Sequence, residues 1–362
     1  MIKTDAKKVC IVVSSLGIGG AERSSALLSE ILYDIGYEVH IVSVLDHIDY
    51  PYKGKLLNLG KLKSQNGSAL GRYKRLKIFK AYLKTYNFDY VIDNRTRIGF
   101  FKEFIISNWL YNAKKTMYCV RSYKTAVYIN PNRFLARQLY ASSCKVVTVS
   151  HAISEKISNA YGFKNCVVIH NPVAIDFDTM STDEKSEDRY ILFYGRLDDS
   201  VKNITLLLEA YSKSKLPQAH IKLKILGNGK DEMLLKQKSK SMGLQYHVQF
   251  LDFQPHPYEF VTSAFFTVLT SKYEGFPRVL VESLALGTPV ISVDCKSGPN
   301  EIITNEHNGL LVENFNPEAL AKAMDRFYED NKLYLHCKRN ARESAKPFSK
   351  KEIGLQWKAI LK

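Results

Sequence analysis

Short apolar runs of strand-forming residues alternate with amphipathic helical stretches along almost the whole chain, and this alternation limits the possible folds more than any other feature. The first run, Val9–Ser14, leads into a glycine loop and then a helical stretch that ends at Gly36. The apolar residues of that stretch share one helical face: Leu27, Leu28, Ile31, Leu32 and Ile35. Apolar strands separated by helices are typical of a parallel sheet covered on both faces. The sequence therefore predicts an α/β fold with doubly wound parallel sheets.

The alternation occurs twice, which predicts two domains. The first series closes at Asn171-Pro172, an acidic and polar stretch follows, and the second series begins at Tyr190–Tyr194. We expect two Rossmann-like domains that face each other across a cleft, with ligands bound at the carboxyl ends of the strands. The predicted divisions are a first domain at 1–172, a linker at 173–188, a second domain at 189–346, and a C-terminal helix at 347–362 that packs back on the first domain.

The net charge of +16 is concentrated in the first half of the chain. Between Tyr50 and Phe88 there are ten basic residues and no acidic one, and Leu76, Phe79 and Leu83 recur there at helical spacing. This pattern fits either a solvated helix face or a basic surface that contacts anionic lipid headgroups or a diphosphate-bearing acceptor. Nucleic acid is disfavoured as a partner, because no zinc-finger, helix-turn-helix or aromatic RNA-binding motif accompanies the charge.

The six cysteines show no CxxC pair and no metal-type spacing, which indicates reduced thiols in the cytosol. The longest apolar runs, such as Val9–Val13 and Ala264–Leu269, are far too short for a transmembrane helix. Met1–Gly20 fits a core strand and a glycine loop better than a signal peptide. The expected location is therefore the cytoplasm, peripheral to the cytoplasmic membrane face.

A glycine-rich loop, Ser15–Glu22, directly follows the first predicted strand. Gly17, Gly19 and Gly20 allow a tight turn and a close approach to a ligand, and the next helix presents free N–H groups to an anion. The third glycine of a dinucleotide-binding GxGxxG motif is replaced by Glu22, whose carboxylate would repel a pyrophosphate. A dehydrogenase is therefore disfavoured.

Two cations follow the first strand of the second series. Arg196 lies in Tyr194-Gly195-Arg196-Leu197, and Lys202 lies a few residues on, at the start of a helix. Positive charges at a strand-to-helix turn are suited to a diphosphate leaving group, whose developing negative charge they stabilise.

The segment Thr270–Glu282 carries the strongest signal. Glu274 lies in the loop before a predicted helix that Pro277 opens at its first turn, and Glu282 lies on that helix. A loop carboxylate suits sugar hydroxyls, and a helix carboxylate suits ribose hydroxyls. The amides of Gly275–Arg278 lie at the positive end of the helix dipole, where phosphates bind.

Together these motifs resemble those of the family-4 retaining glycosyltransferases, which have the GT-B fold. The resemblance lies in Glu274 and Glu282, separated by seven residues, in the Arg196–Lys202 pair and in the early Gly19-Gly20 loop. Further similar motifs, in the same order along the chain, are Val149-Ser150, Asn171-Pro172, Gly227-Asn228-Gly229, Gly287-Thr288-Pro289-Val290 and the run from Ser297 to Ile302.

The resemblance implies a set of site residues. The implied catalytic residues are Glu274, Arg196 and Lys202. The implied donor-binding residues are Gly19, Gly20, Arg196, Lys202, Gly227, Gly229, Glu274, Gly275, Phe276, Pro277, Arg278, Val279 and Glu282. Glu22 and Arg121 are expected near the sugar or the acceptor, although many relatives have a histidine where this chain has Arg121. No metal and no cofactor is implied, because Arg196 and Lys202 supply the positive charge.

The implied reaction moves a hexose or an N-acetylhexosamine, with N-acetylgalactosamine among the candidates, from a UDP-sugar to a lipid-linked bacterial surface glycan. Such a glycan belongs to a capsule, a lipopolysaccharide or a glycoprotein, and UDP is expected rather than GDP. The residues also leave three alternatives open. These are a hydrolase that uses Glu274 and Glu282 as acid and nucleophile, an epimerase of the same architecture, and a non-catalytic nucleotide-sugar-binding protein.

Overall fold

The structure, a computed structural model, describes residues 6–65, 68–175 and 189–362. The chain separates into two compact units, Met1–Pro172 with Lys350–Lys362 (unit 1) and Val173–Ser349 (unit 2). The predicted linker at 173–188 lies outside the described residues from position 176 onward.

Unit 1 is built on a seven-stranded parallel sheet with the strand order β3-β2-β1-β4-β5-β6-β7. The strands are β1 Lys8–Val13, β2 Glu38–Ser43, β3 Lys55–Asn58, β4 Tyr90–Asp93, β5 Thr116–Val120, β6 Lys145–Thr148 and β7 Cys166–Val168. The helices of the first part of this unit are α1 Gly20–Asp34, α2 Leu59–Gln65, α3 Ala69–Tyr86, α4 Phe100–Ile105, α5 Arg133–Tyr140 and α6 His151–Tyr161, with a π-helical turn at Ile106–Leu110 and 3-10 turns at Ala113–Lys115 and Thr125–Val127.

Unit 2 is built on a six-stranded parallel sheet with the order β10-β9-β8-β11-β12-β13. Its strands are β8 Tyr190–Tyr194, β9 Lys222–Leu226, β10 Val248–Leu251, β11 Phe266–Leu269, β12 Val290–Val293 and β13 Gly309–Val312. Its helices are α7 Asp199–Lys202, α8 Ile204–Lys213, α9 Glu232–Ser241, α10 Tyr258–Thr262, α11 Arg278–Ala285, α12 Pro299–Ile302, α13 Pro317–Glu329 and α14 Asn331–Ala345, followed by a 3-10 turn at Lys346–Phe348.

The last helix, α15 at Lys350–Ile360, belongs to unit 1 and packs against α1. Trp357 is buried in the unit 1 core, and the Lys350 ammonium lies 2.6 Å from Glu30. Gly354 allows the two helices to approach closely, because a Cβ added there would lie 3.2 Å from Ile31 Cγ2. Burial of the apolar face of α15 therefore contributes to the stability of unit 1.

The predicted fold class is confirmed, because both units contain an all-parallel sheet flanked by helices. The predicted strand Tyr190–Tyr194 matches the observed bounds, and the run Val9–Ser14 is observed as the strand Lys8–Val13. The apolar pattern of the sequence does not indicate β3, β7 and β13, which lie at sheet edges. An edge strand pairs on one side only and contributes less apolar surface to the core, so its sequence pattern is weaker.

The predicted helix in the basic segment is α3. Phe79 is buried, Leu76 and Leu83 are half-buried, and Lys74 and Lys77 are exposed, so the apolar and basic residues face opposite sides. Among the described residues, no helix is both long and apolar enough to cross a membrane.

A network of buried charged residues lies at the carboxyl end of β4. The Arg95 guanidinium contacts Asp93 at 2.6 Å and Glu103 at 3.1 Å, and all three side chains are buried. Burial opposes ionisation of Asp93, but Arg95 and Arg97 outweigh it and hold the pKa of this carboxyl below its usual value. The Tyr111 hydroxyl donates a further hydrogen bond to Asp93 at 3.2 Å. The two carboxylates and two guanidiniums balance one another, which makes burial of these charges tolerable.

Replacing Asp93 with alanine is expected to destabilise unit 1 by about 3–5 kcal/mol, because Arg95 and Arg97 would remain buried without their shared counterion. The measurement is urea unfolding followed by tryptophan fluorescence, since both tryptophans of the chain, Trp109 and Trp357, lie in unit 1. Lys55→Ala is the control. It breaks an exposed ion pair with Glu38 and is expected to cost less than about 1 kcal/mol.

The pH dependence of the Asp93 contribution follows from the lowered pKa of this carboxyl in the folded state. The stabilisation is present above the unfolded pKa of about 4 and decreases as the pH falls toward the folded value. The difference between wild type and Asp93→Ala should therefore shrink on acidification. Equal stability of the two proteins at neutral pH would contradict this account of the network.

Candidate functional site

The sheet topology of unit 2 determines which segments meet at one edge. Strand β8 lies between β9 and β11, and the chain reverses its direction of progression across the sheet at this point. In a parallel sheet the segments that follow neighbouring strands lie together at the carboxyl edge, where ligands bind in such folds. The segments after β8, β9, β11 and β12 contain the residues that the sequence analysis selected in this unit.

The loops after β8 and β9 pack through their backbones. The Leu197 amide donates to the Asn228 carbonyl at 2.9 Å. Gly227 has φ +142°, and a Cβ added there would lie 2.0 Å from the Gly195 carbonyl oxygen. A Cβ added at Gly229 would lie 2.2 Å from the Leu197 carbonyl oxygen. Both glycines are therefore required for close packing of the two loops, whatever they do toward a ligand.

The structure brings Lys202 and Glu274 together, although 71 residues lie between them. The Lys202 ammonium donates to Glu274 Oε1 at 2.6 Å, and the Ser271 hydroxyl donates to the same oxygen at 2.6 Å. The Thr270 hydroxyl donates to the Lys202 carbonyl at 2.9 Å, which joins the loop after β11 to helix α7. An ammonium and a carboxylate are thus held at fixed positions at the carboxyl edge.

The loop after β12 supports the turn at Glu274–Pro277. The Glu274 amide donates to the Lys296 carbonyl at 3.2 Å, and the Ser297 hydroxyl donates to the Gly275 carbonyl at 2.6 Å. Gly298 has φ +103°, and a Cβ added there would lie 2.3 Å from Pro277 Cδ. The conformation of the turn therefore depends on a second loop that lies more than twenty residues further along the chain.

Helix α11 begins at Arg278, with Pro277 as the preceding N-cap residue in an extended conformation. The expectation that Pro277 occupies the first helical turn is therefore wrong by one position. The Arg278 guanidinium donates to Glu282 Oε1 at 2.6 Å, four residues along the helix, and both side chains are largely buried. The Tyr194 hydroxyl donates to the Val279 carbonyl at 2.6 Å. Glu282 is thus held by a cation that the sequence analysis considered only for its backbone amide.

Arg196 follows β8, and its side chain is 66% exposed. Its ion-pair partner among the described residues is Asp198 at 4.0 Å, and the structure does not bring it into an ion pair with Glu274. Lys230 contacts the same Asp198 carboxylate at 3.2 Å and is 63% exposed. The Ser200 hydroxyl, followed by Lys230 and Arg196, holds the pKa of Asp198 below its usual value. Arg196 is therefore an accessible cation.

The remaining predicted residues lie in unit 1. Gly19 precedes α1, which begins at Gly20, and a Cβ added at Gly20 would meet no atom within 4 Å. A Cβ added at Gly19 would lie 2.2 Å from a carboxylate oxygen of Glu22. Arg121 follows β5 and donates from Nη1 to Asn171 Oδ1 at 2.8 Å, at the wall of a small pocket.

Ser271 and Ser297 contribute hydrogen bonds to the predicted site, and the sequence analysis gave them no role. Both serines lie within motifs of the sequence, Ser271 in Thr270–Glu282 and Ser297 at the start of the run to Ile302. A serine carries no charge, so the sequence does not indicate which group its hydroxyl contacts. The Arg278–Glu282 pair differs, because opposite charges four residues apart on a helix are a recognisable pattern.

The arrangement in unit 2 suits a ligand that carries both phosphate and hydroxyl groups. Arg196, Lys202 and the N-terminus of α11 provide positive charge and backbone amides, and Glu274 and Glu282 provide hydroxyl acceptors. The nearby Cys295 thiol is not a nucleophile at neutral pH, because burial, followed by the charge of Glu274, raises its pKa.

Comparisons with known proteins identify the family of the chain. The family model described as glycosyl transferases group 1 matches residues 175–344. A Campylobacter jejuni protein named N-acetylgalactosamine-N,N'-diacetylbacillosaminyl-diphospho-undecaprenol 4-alpha-N-acetylgalactosaminyltransferase is 30% identical over 368 residues, which cover 96% of this chain and 97% of that protein. A second protein of that organism, named GalNAc-alpha-(1->4)-GalNAc-alpha-(1->3)-diNAcBac-PP-undecaprenol alpha-1,4-N-acetyl-D-galactosaminyltransferase, is 27% identical over 368 residues, which cover 98% of each chain.

Among solved structures, a variant of S. aureus TarM in complex with fondaparinux, alpha-GlcNAc-glycerol and UDP has a TM-score of 0.78 with this chain. The two are 15% identical, and the match covers 98% of this chain and 99% of that chain. This likeness shows the fold, which is the GT-B fold of glycosyltransferases.

Replacing Gly227 with alanine is expected to lower the stability of the fold by about 2–4 kcal/mol, because the new Cβ would overlap the Gly195 carbonyl oxygen. Gly243→Ala is the matched control. Gly243 also has a positive φ, of +72°, but an added Cβ would meet no atom within 4 Å, so its expected cost is about 1 kcal/mol. Chemical unfolding followed by circular dichroism measures both. If the two variants lose similar free energy of unfolding, the loops after β8 and β9 can move apart without an energetic cost.

Proposed function

The chain belongs to the glycosyl transferase group 1 family, and from this we propose that it transfers a sugar from a nucleotide diphosphate donor to a lipid-linked glycan. One observation carries the donor assignment most directly. The Lys202–Glu274 pair lies at the turn that precedes α11, and Glu282 lies on that helix. This segment therefore contains a complementary group for each part of the donor, namely the diphosphate, the sugar and the ribose.

We assign the groups of unit 2 as follows. Arg196, Lys202 and the amides of the Gly275–Arg278 turn bind the diphosphate, and Val279 and Phe276 shape the same turn. Glu274 accepts hydrogen bonds from sugar hydroxyls, and Glu282, held by Arg278, accepts from the ribose. Both bonds that reach Glu274 end on Oε1, so we assign the sugar to the Oε2 side of the carboxylate.

The donor is proposed to be a UDP-sugar that carries a hexose or an N-acetylhexosamine. Two observations support this choice. The names of both Campylobacter jejuni relatives describe N-acetylgalactosaminyltransferases. UDP is also present in the TarM complex, which shares the fold.

The proposed reaction breaks the bond between the anomeric carbon and the diphosphate oxygen, and forms a bond from that carbon to an acceptor hydroxyl oxygen. The acceptor proton passes to the departing diphosphate, and attack on the face that the diphosphate leaves retains the anomeric configuration. Lys202 and Arg196 stabilise the charge that develops on the leaving group. We propose that these cations serve in place of a metal ion.

The acceptor is proposed to be a glycan on an undecaprenyl diphosphate carrier, bound through unit 1. Both Campylobacter jejuni relatives carry such an acceptor in their names. Helix α3 of unit 1 has six basic residues and no acidic one, which suits contact with an anionic membrane face where a polyprenyl carrier resides. We assign Glu22 and Arg121, at the carboxyl edge of this unit, to the acceptor or to the transferred sugar.

A hydrolase is disfavoured by the partners of the two carboxylates. Acid and nucleophile in a retaining glycosidase flank one bond. Here Glu274 bonds to Lys202 and Ser271, whereas Glu282 bonds to Arg278. An epimerase would convert the donor sugar without an acceptor, so product analysis with and without acceptor separates the two activities.

Arg196→Ala is expected to lower kcat for transfer about 100- to 1,000-fold, because a cation that stabilises the leaving diphosphate is lost. Lys230→Ala is the matched control. Lys230 contacts the same Asp198 carboxylate and is equally exposed, yet it has no proposed role, and its loss should change kcat by less than about twofold. The assay uses radiolabelled UDP-sugars and a polyprenyl-diphosphate-linked acceptor. It includes EDTA, under which the wild type should remain active.

If kcat falls equally in Arg196→Ala and Lys230→Ala, the proposed role of Arg196 is wrong, because both side chains would then act through Asp198. Thermal unfolding of both variants checks the fold, and neither exposed side chain should affect the midpoint measurably.

Gly20→Ala tests the proposed approach of the donor to the glycine loop. The new methyl group meets no atom within 4 Å and enters a helix, so the fold should be unaffected or slightly more stable. If a ligand lies against this backbone, KM for the donor should rise by about tenfold or more. An unchanged KM would remove Gly20 from the donor site.

A further inference from the structure

Helix α4 has the reverse of the usual amphipathic arrangement. Its acidic residue, Glu103, is buried, while Phe101 is 82% exposed, and Phe104 and Ile105 are also exposed. Phe101 lies three and four residues from Phe104 and Ile105, so the three side chains share one helical face. In an ordinary surface helix the aromatic residues face the core and the charged residues face water.

The buried charge network explains why α4 has this orientation. Glu103 accepts from the Arg95 guanidinium at 3.1 Å, and Arg95 is buried against Asp93. Turning α4 to bury its aromatic residues would withdraw Glu103 from this network and leave a buried charge imbalance, which is costly. The orientation of α4 is therefore set from inside the unit, and its aromatic face is held outward.

Neighbouring elements extend this aromatic face. Helix α4 continues into the π-helical turn Ile106–Leu110, where the Trp109 ring stacks on Tyr73 of α3 at 6.4 Å. Helix α5 packs against α4, and its Phe134 is 76% exposed. We define the aromatic surface as the exposed side chains of these elements: Leu70, Tyr73, Phe101, Phe104, Ile105 and Phe134.

Positive charge borders the aromatic surface. The Lys80 ammonium lies 4.0 Å from the centre of the Trp109 ring, and the Lys77 ammonium lies 4.9 Å from that of Tyr73. Lys102 of α4 is also largely exposed. Lysine side chains that cover aromatic rings with their ammonium groups in water are typical of a membrane interface.

We propose that the aromatic surface inserts into the headgroup region of an anionic phospholipid bilayer, with the cations of α3 against the lipid phosphates. The inference deepens the proposed function, since a polyprenyl-linked acceptor resides in such a bilayer. A cluster of exposed aromatic side chains needs an apolar environment, and the bordering cations select a negatively charged one. A second copy of the chain is a poor occupant, because it would bring an identical positive border against this one.

The test is co-sedimentation of the full chain with vesicles of phosphatidylcholine alone or mixed with phosphatidylglycerol. The wild type should bind the anionic vesicles, and Phe101→Ser with Ile105→Ser should lower the partition coefficient by about tenfold or more. Met233→Ser with Tyr246→Ser is the matched control. These residues of unit 2 are 76% and 81% exposed, and their replacement should leave binding unchanged.

A second measurement does not depend on any variant. Lipids brominated near the headgroup should quench the fluorescence of Trp109, which borders the aromatic surface, whereas Trp357 is buried in the core. Absence of vesicle binding by the wild type, binding without quenching, or equal binding by the Phe101/Ile105 variant would each overturn the proposal. A change of oligomeric state in that variant, with vesicle binding retained, would identify a second copy as the occupant instead.

Transfer to a water-soluble, short-chain acceptor separates this proposal from the proposed function. The Phe101/Ile105 variant should retain wild-type transfer to that acceptor, because neither residue belongs to the donor site. If the wild type binds vesicles but transfers no sugar, the proposed function is overturned and the membrane proposal is retained. If transfer is normal and the Phe101/Ile105 variant binds vesicles as well as the wild type does, only the membrane proposal is overturned.

Discussion

The bond between the Lys202 ammonium and Glu274 Oε1 joins the two loops on which the candidate site depends. Its 2.6 Å distance is possible because β8 and β11 are neighbours in the sheet, although they are far apart in the chain. Glycines and serines then lock the supporting loops, with Gly227 against Gly195 and Ser297 bonded to Gly275. A charged pair in fixed loops is already oriented when a ligand arrives, so little conformational entropy is lost on binding.

Unit 1 shows the complementary use of charge. Asp93, Arg95, Arg97 and Glu103 are buried together and neutralise one another, so the interior of this unit holds charges that most proteins leave on the surface. The same network holds the aromatic residues of α4 outward, because Glu103 cannot leave Arg95 without leaving a buried charge unpaired. A buried ionic network and an exposed apolar surface are thus two consequences of one constraint.

Much of the fold was predictable from the sequence where burial is complete. A central strand such as Tyr190–Tyr194 is apolar on both faces, so its pattern matches the observed bounds. Edge strands such as Lys55–Asn58 have a weaker apolar pattern, because polar residues can occupy the side that faces solvent. In the site, the sequence indicated roles for charged residues and for residues of the glycine-rich turns, but no role for Ser271 and Ser297, although both serines lie in the same motifs.

The sequence by itself determined the two doubly wound sheets, the order of the motifs and the family, since apolar periodicity and motif spacing are local properties of the chain. Only the tertiary structure decided that Lys202 bonds to Glu274 and that Arg278 bonds to Glu282 Oε1. It also decided that α4 buries its acid and exposes its aromatic residues. These outcomes depend on which distant segments become neighbours, because the energy of a charge is set by the groups that surround it in space.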